Sequence, residues 1–577
     1  MTPNFFLKKL GGIGAHSRRL EVQSLAGLSD EECAEEVAQS FAAVSQEYQK
    51  IDRRSLPAFL PAGRPEQLNV FQVQHAIKKL GKTKSTLPID IPDQLRIEAA
   101  LDLAEPMTEI MNTCLRDGKF PKVWRQEWVT PVPKTSQPKN CKEVRKIAST
   151  SDYAKVFETF LRTWIVDIGH KININQFAGK KGVGTEHLLV MMVDKILHML
   201  DKPGATAVIF SAIDWMGAFD RLDPTITVSK LITMGVRSSL IPTIIEFLED
   251  RQMSVNYNGA ASKWHTLIGG GPQGSWIGQN CYISASDDAA SWLEDEYKYK
   301  YCDDLSIVEL IMVGNILTDY NFSQHVASDV AIGQQYLEPK NIKMQEDLNK
   351  LAVWTNANLM KLNEKKTNYM IFSRQKKSFS TRLTINGNLL ERTNSIKILG
   401  VWLQEDGGWQ TNVDQMCKSA FARISMLTKL SYAGVSRSDL VHLYKMFIRS
   451  KLEYCVVPMH SSLTGQQAAS LERCQSVALR IILQNDYSTY SEALKMAGIE
   501  TLESRRKDRC LTFSQKCLKH PTNNRIFPLN ENMHTRNSEH FKVNFAHTEA
   551  YKNSAVPFCQ RLLNEREVLR RAQRAAG

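Results

Sequence analysis

The sequence predicts an α+β protein, and three observations carry that reading. The apolar run Ala207-Val208-Ile209-Phe210-Ser211-Ala212-Ile213 reads as a strand and ends on Asp214. The alternation Tyr297-Lys298-Tyr299-Lys300-Tyr301 reads as another, and Leu305-Ser306-Ile307-Val308 as its hairpin partner, with Asp303 and Asp304 at the tip. Beyond Val401, apolar residues recur at helical spacing in three successive stretches: Val413 to Leu427, Leu440 to Ile448, and Leu471 to Ile481.

Asp303 and Asp304 are neighbours whose charges repel, so a bound cation stabilises them, and Mg²⁺ is the natural one. Taken alone the pair is a solvated turn. Asp214, delivered by a separate strand, turns it into three carboxylates on one edge of a small sheet. Such a cluster suits two divalent ions, which in-line phosphoryl displacement uses.

Composition sets the bounds. At 577 residues the chain exceeds one ordinary domain, and 43% apolar residues is a globular proportion. Lys and Arg number 73 against 61 Asp and Glu, a formal net charge of +12. With a pI near 9.0 that suits a polyanionic partner, although charge alone also describes an ordinary basic protein. The 11 cysteines lack paired spacing and no secretory signal is expected, so they read as reduced thiols of an intracellular protein, in nucleus or cytoplasm. The longest apolar run, about Ser306 to Leu317, contains Glu309 and is too short for a bilayer, so no membrane partner is expected.

Taken in order, residues 1–65 are helix-prone and charged, with Pro57, Pro61 and Pro65 marking a boundary. Trp128-Val129-Thr130-Pro131-Val132-Pro133-Lys134 reads as a short strand ending on a base, with Arg145-Lys146-Ile147-Ala148 following. Lys134 and Arg145 can neutralise a triphosphate; by residue type alone they are surface cations. Tyr153, Val156, Phe157, Phe160, Leu161 and Trp164 form a core stripe, and Thr185 caps a helix through Leu200. The loop before Thr185 lacks the Gly-Lys-Ser/Thr ending of a phosphate loop. Asp223-Pro224 starts a helix that Gly235 ends, and Asn258-Gly259 turns a hairpin. The glycines of Gly269 to Gly274 permit close backbone approach, and Gln273 can bond a sugar or phosphate.

Asp214 with Ala218-Phe219-Asp220, Gly271-Pro272-Gln273-Gly274-Ser275 and Tyr301-Cys302-Asp303-Asp304 occur in that order. Together they resemble the palm motifs of reverse transcriptases, in particular those of non-LTR (LINE-type, jockey-like) retrotransposons. The resemblance runs from about Lys84-Ser85 to about Arg506. It implies a right-hand polymerase: an N-terminal helical segment over 1–65, fingers over 66–205, a palm with an antiparallel sheet over 206–375, and a primer-grip hairpin with a helical thumb over 376–485. No role is assigned to 486–577. It implies catalysis and metal binding by Asp214, Asp303 and Asp304 with two Mg²⁺, Mn²⁺ being the alternative ion. It places Lys134, Arg145, Phe219, Gln273, Gly274 and Lys366 at the nucleotide, and Tyr301, Leu399 and Gly400 at primer and template. Phe219 would exclude a ribose 2′-OH; without the motif its ring would be read as core, and Lys366 as a loop lysine.

The implied partners are an RNA template, a DNA primer, dNTPs and an element RNA-binding protein. The upstream endonuclease usual in such elements is not recognised, so a fragment or truncated copy is expected. Three departures stand out: Lys146 where the group has proline, Gln279 where proline is frequent, and Leu87-Pro88-Ile89-Asp90 where glycine is usual. They favour the main rival, a degenerate nucleic-acid-binding relic, whereas the three intact acids oppose it. An RNA-dependent RNA polymerase is opposed by Phe219 and Cys302. Cys510, Cys517, His520, His534, His540, His547 and Cys559 are too scattered for a zinc knuckle.

Overall fold

The computed structural model describes residues 19–58, 65–81, 87–166, 172–312, 335–336, 342–373, 379–530 and 540–576. Pro61, the Lys84-Ser85 start of the family-like stretch, the apolar run beyond Met312 and His534 lie outside the described residues. The chain divides into two compact units, each assembled from separated segments. One comprises Met1–Ile172, Met216–Asp288 and Thr355–Lys361; the other comprises Asn173–Trp215, Ala289–Trp354 and Leu362–Gly577.

The first unit is built on a mixed sheet. Gln126–Pro133 pairs antiparallel with Val144–Ser149 and parallel with Arg251–Tyr257, which also carries Ala260–Ala261 and His265–Leu267. Along Val144–Ser149 the pleat sends Val144, Lys146 and Ala148 inward and leaves Arg145 and Ile147 exposed. The helix Asp30–Ser45 covers this sheet. It starts on a reciprocal cap between Ser29 and Glu32 and buries Ala34, Val37 and Ala38 with Val129, Met253 and Val255. The charged N-terminal stretch therefore supplies one wall of this core. A second core gathers the helices Val70–Lys79, Ala100–Asp117, Asp152–Val166, Pro224–Thr233 and Ile241–Leu248 around Ile77, Met111, Phe157, Val228 and Ile244. Of the predicted stripe, Val156, Phe157 and Leu161 are fully buried, whereas Tyr153, Phe160 and Trp164 pack on its margin.

The second unit is built on a sheet with strand order Glu391–Arg392, Asn368–Ser373, Ala205–Ile213, Asp304–Met312, Lys298–Tyr301. Its pairings are antiparallel except at the edge, where Glu391–Arg392 runs parallel to Asn368–Ser373. Ala205–Ile213 lies between two partners, and its Ala207, Val208, Ile209 and Phe210 are fully buried. Burial on both faces is why that strand reads as a continuous apolar run without alternation. The helix Thr185–Asp201 packs on it.

The helices Gln410–Tyr432 and Gly465–Leu483 pack together; the first buries Val413, Ala420, Ile424 and Leu427, and the second Leu471, Ala478 and Leu479. Phe447, expected in the intervening stripe, is 42% exposed instead. Phe447 lies within Tyr444–Arg449, a π-helical turn that buries Tyr444 and Ile448 of the same stripe. Leu502–Lys519 and Ala555–Ala576 share a core with Val190 and Val457. Cys510, Cys517 and Cys559 lie in it as buried thiols, the apolar use of cysteine. Among the described residues no helix is long and apolar enough to cross a membrane.

Candidate active site

Strand register brings the acids together. Ile213 pairs with Leu305, and Tyr301 pairs with Asp304 across the hairpin. One step beyond Ile213 is Asp214, and one step before Leu305 is Asp304, so two carboxylates leave adjacent strand ends on one edge of the sheet. Cys302 and Asp303 make the turn between them. Cys302 takes a left-handed φ of 57°, and its N–H donates to Gln176 Oε1 at 3.1 Å. The segment carrying Gln176 is bonded alongside: Lys300 N–H donates to the Asn175 carbonyl at 2.9 Å, and Phe177 N–H to the Lys300 carbonyl at 2.8 Å. These bonds hold the turn in a conformation that a side-chain-bearing residue resists.

Asp214 is fixed from three directions. Its N–H donates to Thr367 Oγ1 at 3.1 Å, its carbonyl accepts from Asn363 N–H at 2.8 Å, and its Oδ2 accepts from Asn363 Nδ2 at 2.8 Å. Partial burial raises the Asp214 carboxyl above the ordinary range, while the Lys366 charge and the Asn363 bond oppose that. Lys366 itself is exposed. Asp304 is pushed up to about 6, first by loss of hydration and then by the like charges of Asp303 and Asp214. The cluster is thus short of positive charge, and its donors are all oxygen. That chemistry fits a hard divalent cation. Among the described residues, no three His, Cys, Asp or Glu side chains are drawn close enough to hold an ion by themselves. Mg²⁺ is commonly held by one or two carboxylates together with substrate phosphate and water, so a closed protein cage is not required.

Leu399 and Gly400 form the two-residue turn of the hairpin Ser395–Ile398 and Val401–Gln404, both left-handed at φ 47° and 87°. Tyr301 sits half-buried at the base of the acidic turn.

The remaining nucleotide candidates belong to the first unit. Lys134 Nζ donates to the Lys142 carbonyl at 2.7 Å on an exposed turn, and Arg145 stands exposed opposite Val132. Phe219 stacks on Tyr282, ring centroids 4.9 Å apart. Gln273 Nε2 donates to Asp220 Oδ2 at 3.0 Å. At Gly274, φ is 137° and a Cβ would lie 2.4 Å from the Ala148 carbonyl oxygen. The glycine is therefore demanded by the chain's own backbone, a reason the sequence reading did not contain.

Sequence reasoning missed the buried charges beside this turn. Lys146 points inward from its strand, 3.1 Å from Glu127 Oε2, and Arg251 Nη1 meets Glu127 Oε1 at 2.6 Å. Arg251 Nη2 also bonds the carbonyls of Gly269 (2.8 Å) and Gly270 (2.6 Å). Burial would raise the Glu127 carboxyl, but the Lys146 and Arg251 charges hold it below the usual range. Glu158 was missed too: it is fully buried and accepts from Ser275 Oγ at 2.8 Å and Trp276 N–H at 2.7 Å. The available signal was an acid or base on the inward phase of an otherwise apolar element.

Residues 132–403, which carry this arrangement, match the model of the family "Reverse transcriptase (RNA-dependent DNA polymerase)". The stretch is a reverse transcriptase domain on an α+β fold. Among curated proteins, the chain is 24% identical over 409 residues to the RNA-directed DNA polymerase from mobile element jockey of Drosophila funebris, covering 69% of this chain and 42% of that protein. It is 23% identical over 399 residues to the protein of the same name from Drosophila melanogaster, covering 66% and 40%. The chain thus spans about two fifths of the length of these relatives.

Proposed function

We propose that this chain is an RNA-directed DNA polymerase of a non-LTR retrotransposon, adding dNTPs to the 3′-OH of a DNA primer on an RNA template. The observation that carries the proposal is the pairing register that sets Asp214 and Asp304 on adjacent strand ends, with Asp303 in the turn beside them. Asp214, Asp303 and Asp304 are the residues that would hold the metal. Bound there, two Mg²⁺ ions, or Mn²⁺ in their place, supply activation of the primer hydroxyl and neutralisation of the departing pyrophosphate. Asn363 orients Asp214 by holding one carboxylate oxygen, which leaves the other for the ion. Lys366 lends the same carboxylate positive charge and, being exposed, is our candidate for the nucleotide phosphates.

In this reading residues 66–205 serve as fingers, 206–375 as palm and 376–485 as primer grip and thumb. Lys134, Arg145, Phe219, Gln273 and Gly274 are the further candidates for nucleotide contact, and Tyr301, Leu399 and Gly400 for the primer. Exposed Arg145 supports its part, because a planar guanidinium suits a phosphate. The chemistry of the partners follows: RNA template, DNA primer, dNTPs and an RNA-binding protein of the element.

The test is extension of an annealed DNA primer on RNA with dNTPs and Mg²⁺, run beside NTPs. Wild type should extend with dNTPs alone, and Asp303→Asn should abolish extension while still binding template and primer. Equal extension by both chains would reject the mechanism. Binding without extension by the wild type would favour a catalytically degenerate relic.

A further inference from the structure

The turn Leu399–Gly400 is an awkward piece of backbone. Two consecutive left-handed residues close the hairpin, and the first carries a branched side chain that disfavours φ of 47°. Something outside the hairpin holds it. Tyr454 donates its hydroxyl to the Leu399 carbonyl at 2.7 Å, and its ring Cε1 lies 3.3 Å from where a Cβ on Gly400 would stand.

Tyr454 is itself set on a firm base. The preceding Glu453 is paired with Arg505, Nη2 to Oε2 at 3.0 Å, and lies 3.7 Å from Arg449. The following Cys455 is left-handed at φ 47°, with its sulfur 3.5 Å from Thr185 Oγ1. Val457 N–H then donates to Glu186 Oε1 at 3.3 Å. A surface tyrosine with no task would not be framed so closely, yet 43% of Tyr454 remains exposed.

We propose that Tyr454 is a positioning residue for the primer end, its hydroxyl pinning the Leu399–Gly400 turn. This rests on the polymerase reading of the site. A loosened turn should weaken the hold on primer–template while leaving the incoming nucleotide untouched. Tyr454→Phe deletes only the hydroxyl, and an exposed neutral hydrogen bond is worth roughly a fivefold effect.

The experiment measures primer–template affinity by fluorescence anisotropy and, in parallel, KM for primer–template and for dNTP. For Tyr454→Phe we expect primer–template affinity down about fivefold and its KM up by a similar factor, with dNTP KM unchanged. Gly400→Ala should cost less in a Tyr454→Ala background than in wild type, because the ring that its Cβ meets is gone. Unchanged primer–template affinity in Tyr454→Phe, equal shifts in both KM values, or strict additivity with Gly400→Ala would each overturn the proposal. A wild type that binds but does not extend would sink the polymerase reading, and affinity would still decide this one. A wild type that does not bind would sink both.

Discussion

Glu127, Lys146 and Arg251 pack two cations around one carboxylate in the interior, with Asp220 near enough to feel all three charges. Each member is tolerable only because the others are present. Lys146→Met should therefore destabilise the chain by about 3–5 kcal/mol, since removing one partner of a buried pair strands the rest. Urea unfolding checks this, and a loss under about 1 kcal/mol would show that Arg251 alone satisfies Glu127. Gly274→Ala should cost about 2–4 kcal/mol by the same measurement. Its Cβ would meet a backbone oxygen, which cannot swing aside, at a φ that alanine avoids. Asn363→Ala is expected to act differently. It removes the side-chain bond that orients Asp214 and keeps the backbone bond from Asn363 N–H to the Asp214 carbonyl, so primer extension should fall well before the melting temperature does.

At the scale of the element, the helix Trp276–Ala285 shows how a buried acid starts a helix. Ser275 caps it by accepting from Gly278 N–H, and Glu158 accepts from both Ser275 Oγ and Trp276 N–H. Burial pushes the Glu158 carboxyl up to about 7, against its ordinary 4.5. A raised carboxyl binds its proton more tightly in the folded chain than in the unfolded one. Its contribution to stability is fully present below about pH 4.5 and is lost as pH rises through about 7. Glu158→Gln keeps an acceptor and needs no proton. It should match wild type near pH 4.5 and exceed it by about 2–3 kcal/mol at pH 8. Melting curves across that range decide it, and parallel pH profiles for the two proteins would refute it. The π-helical turn at Tyr444–Arg449 belongs to this scale as well: it keeps Tyr444 and Ile448 of the expected stripe buried and leaves Phe447 exposed.

For the molecule as a whole, the region after residue 485 belongs to the core of its unit. Phe513, Cys517, Val556 and Leu562 bury Val190 and Val457, which lie far upstream. A chain ending at residue 485 should lose cooperative unfolding, because those apolar surfaces would face water. An unchanged melting transition in the truncated chain would show instead that the C-terminal helices are dispensable.

The acids themselves are legible in the sequence, because each sits at the end of an apolar strand or in a two-residue turn. Those are local patterns that a run of letters records. Fold class followed from the same periodicities. By itself, then, the sequence determined the strand that ends on Asp214, the acidic hairpin and the later helical stripes, that Asp214, Asp303 and Asp304 are the residues to watch, and that the chain resembles reverse transcriptases. Tertiary structure alone decided that Lys146 turns inward to Glu127, that Gly274 yields to a carbonyl, and that Tyr454 reaches a turn 55 residues upstream. Those partners are distant in the chain, and no local periodicity encodes which buried charge or hydroxyl will meet which; only the packing of the folded backbone does.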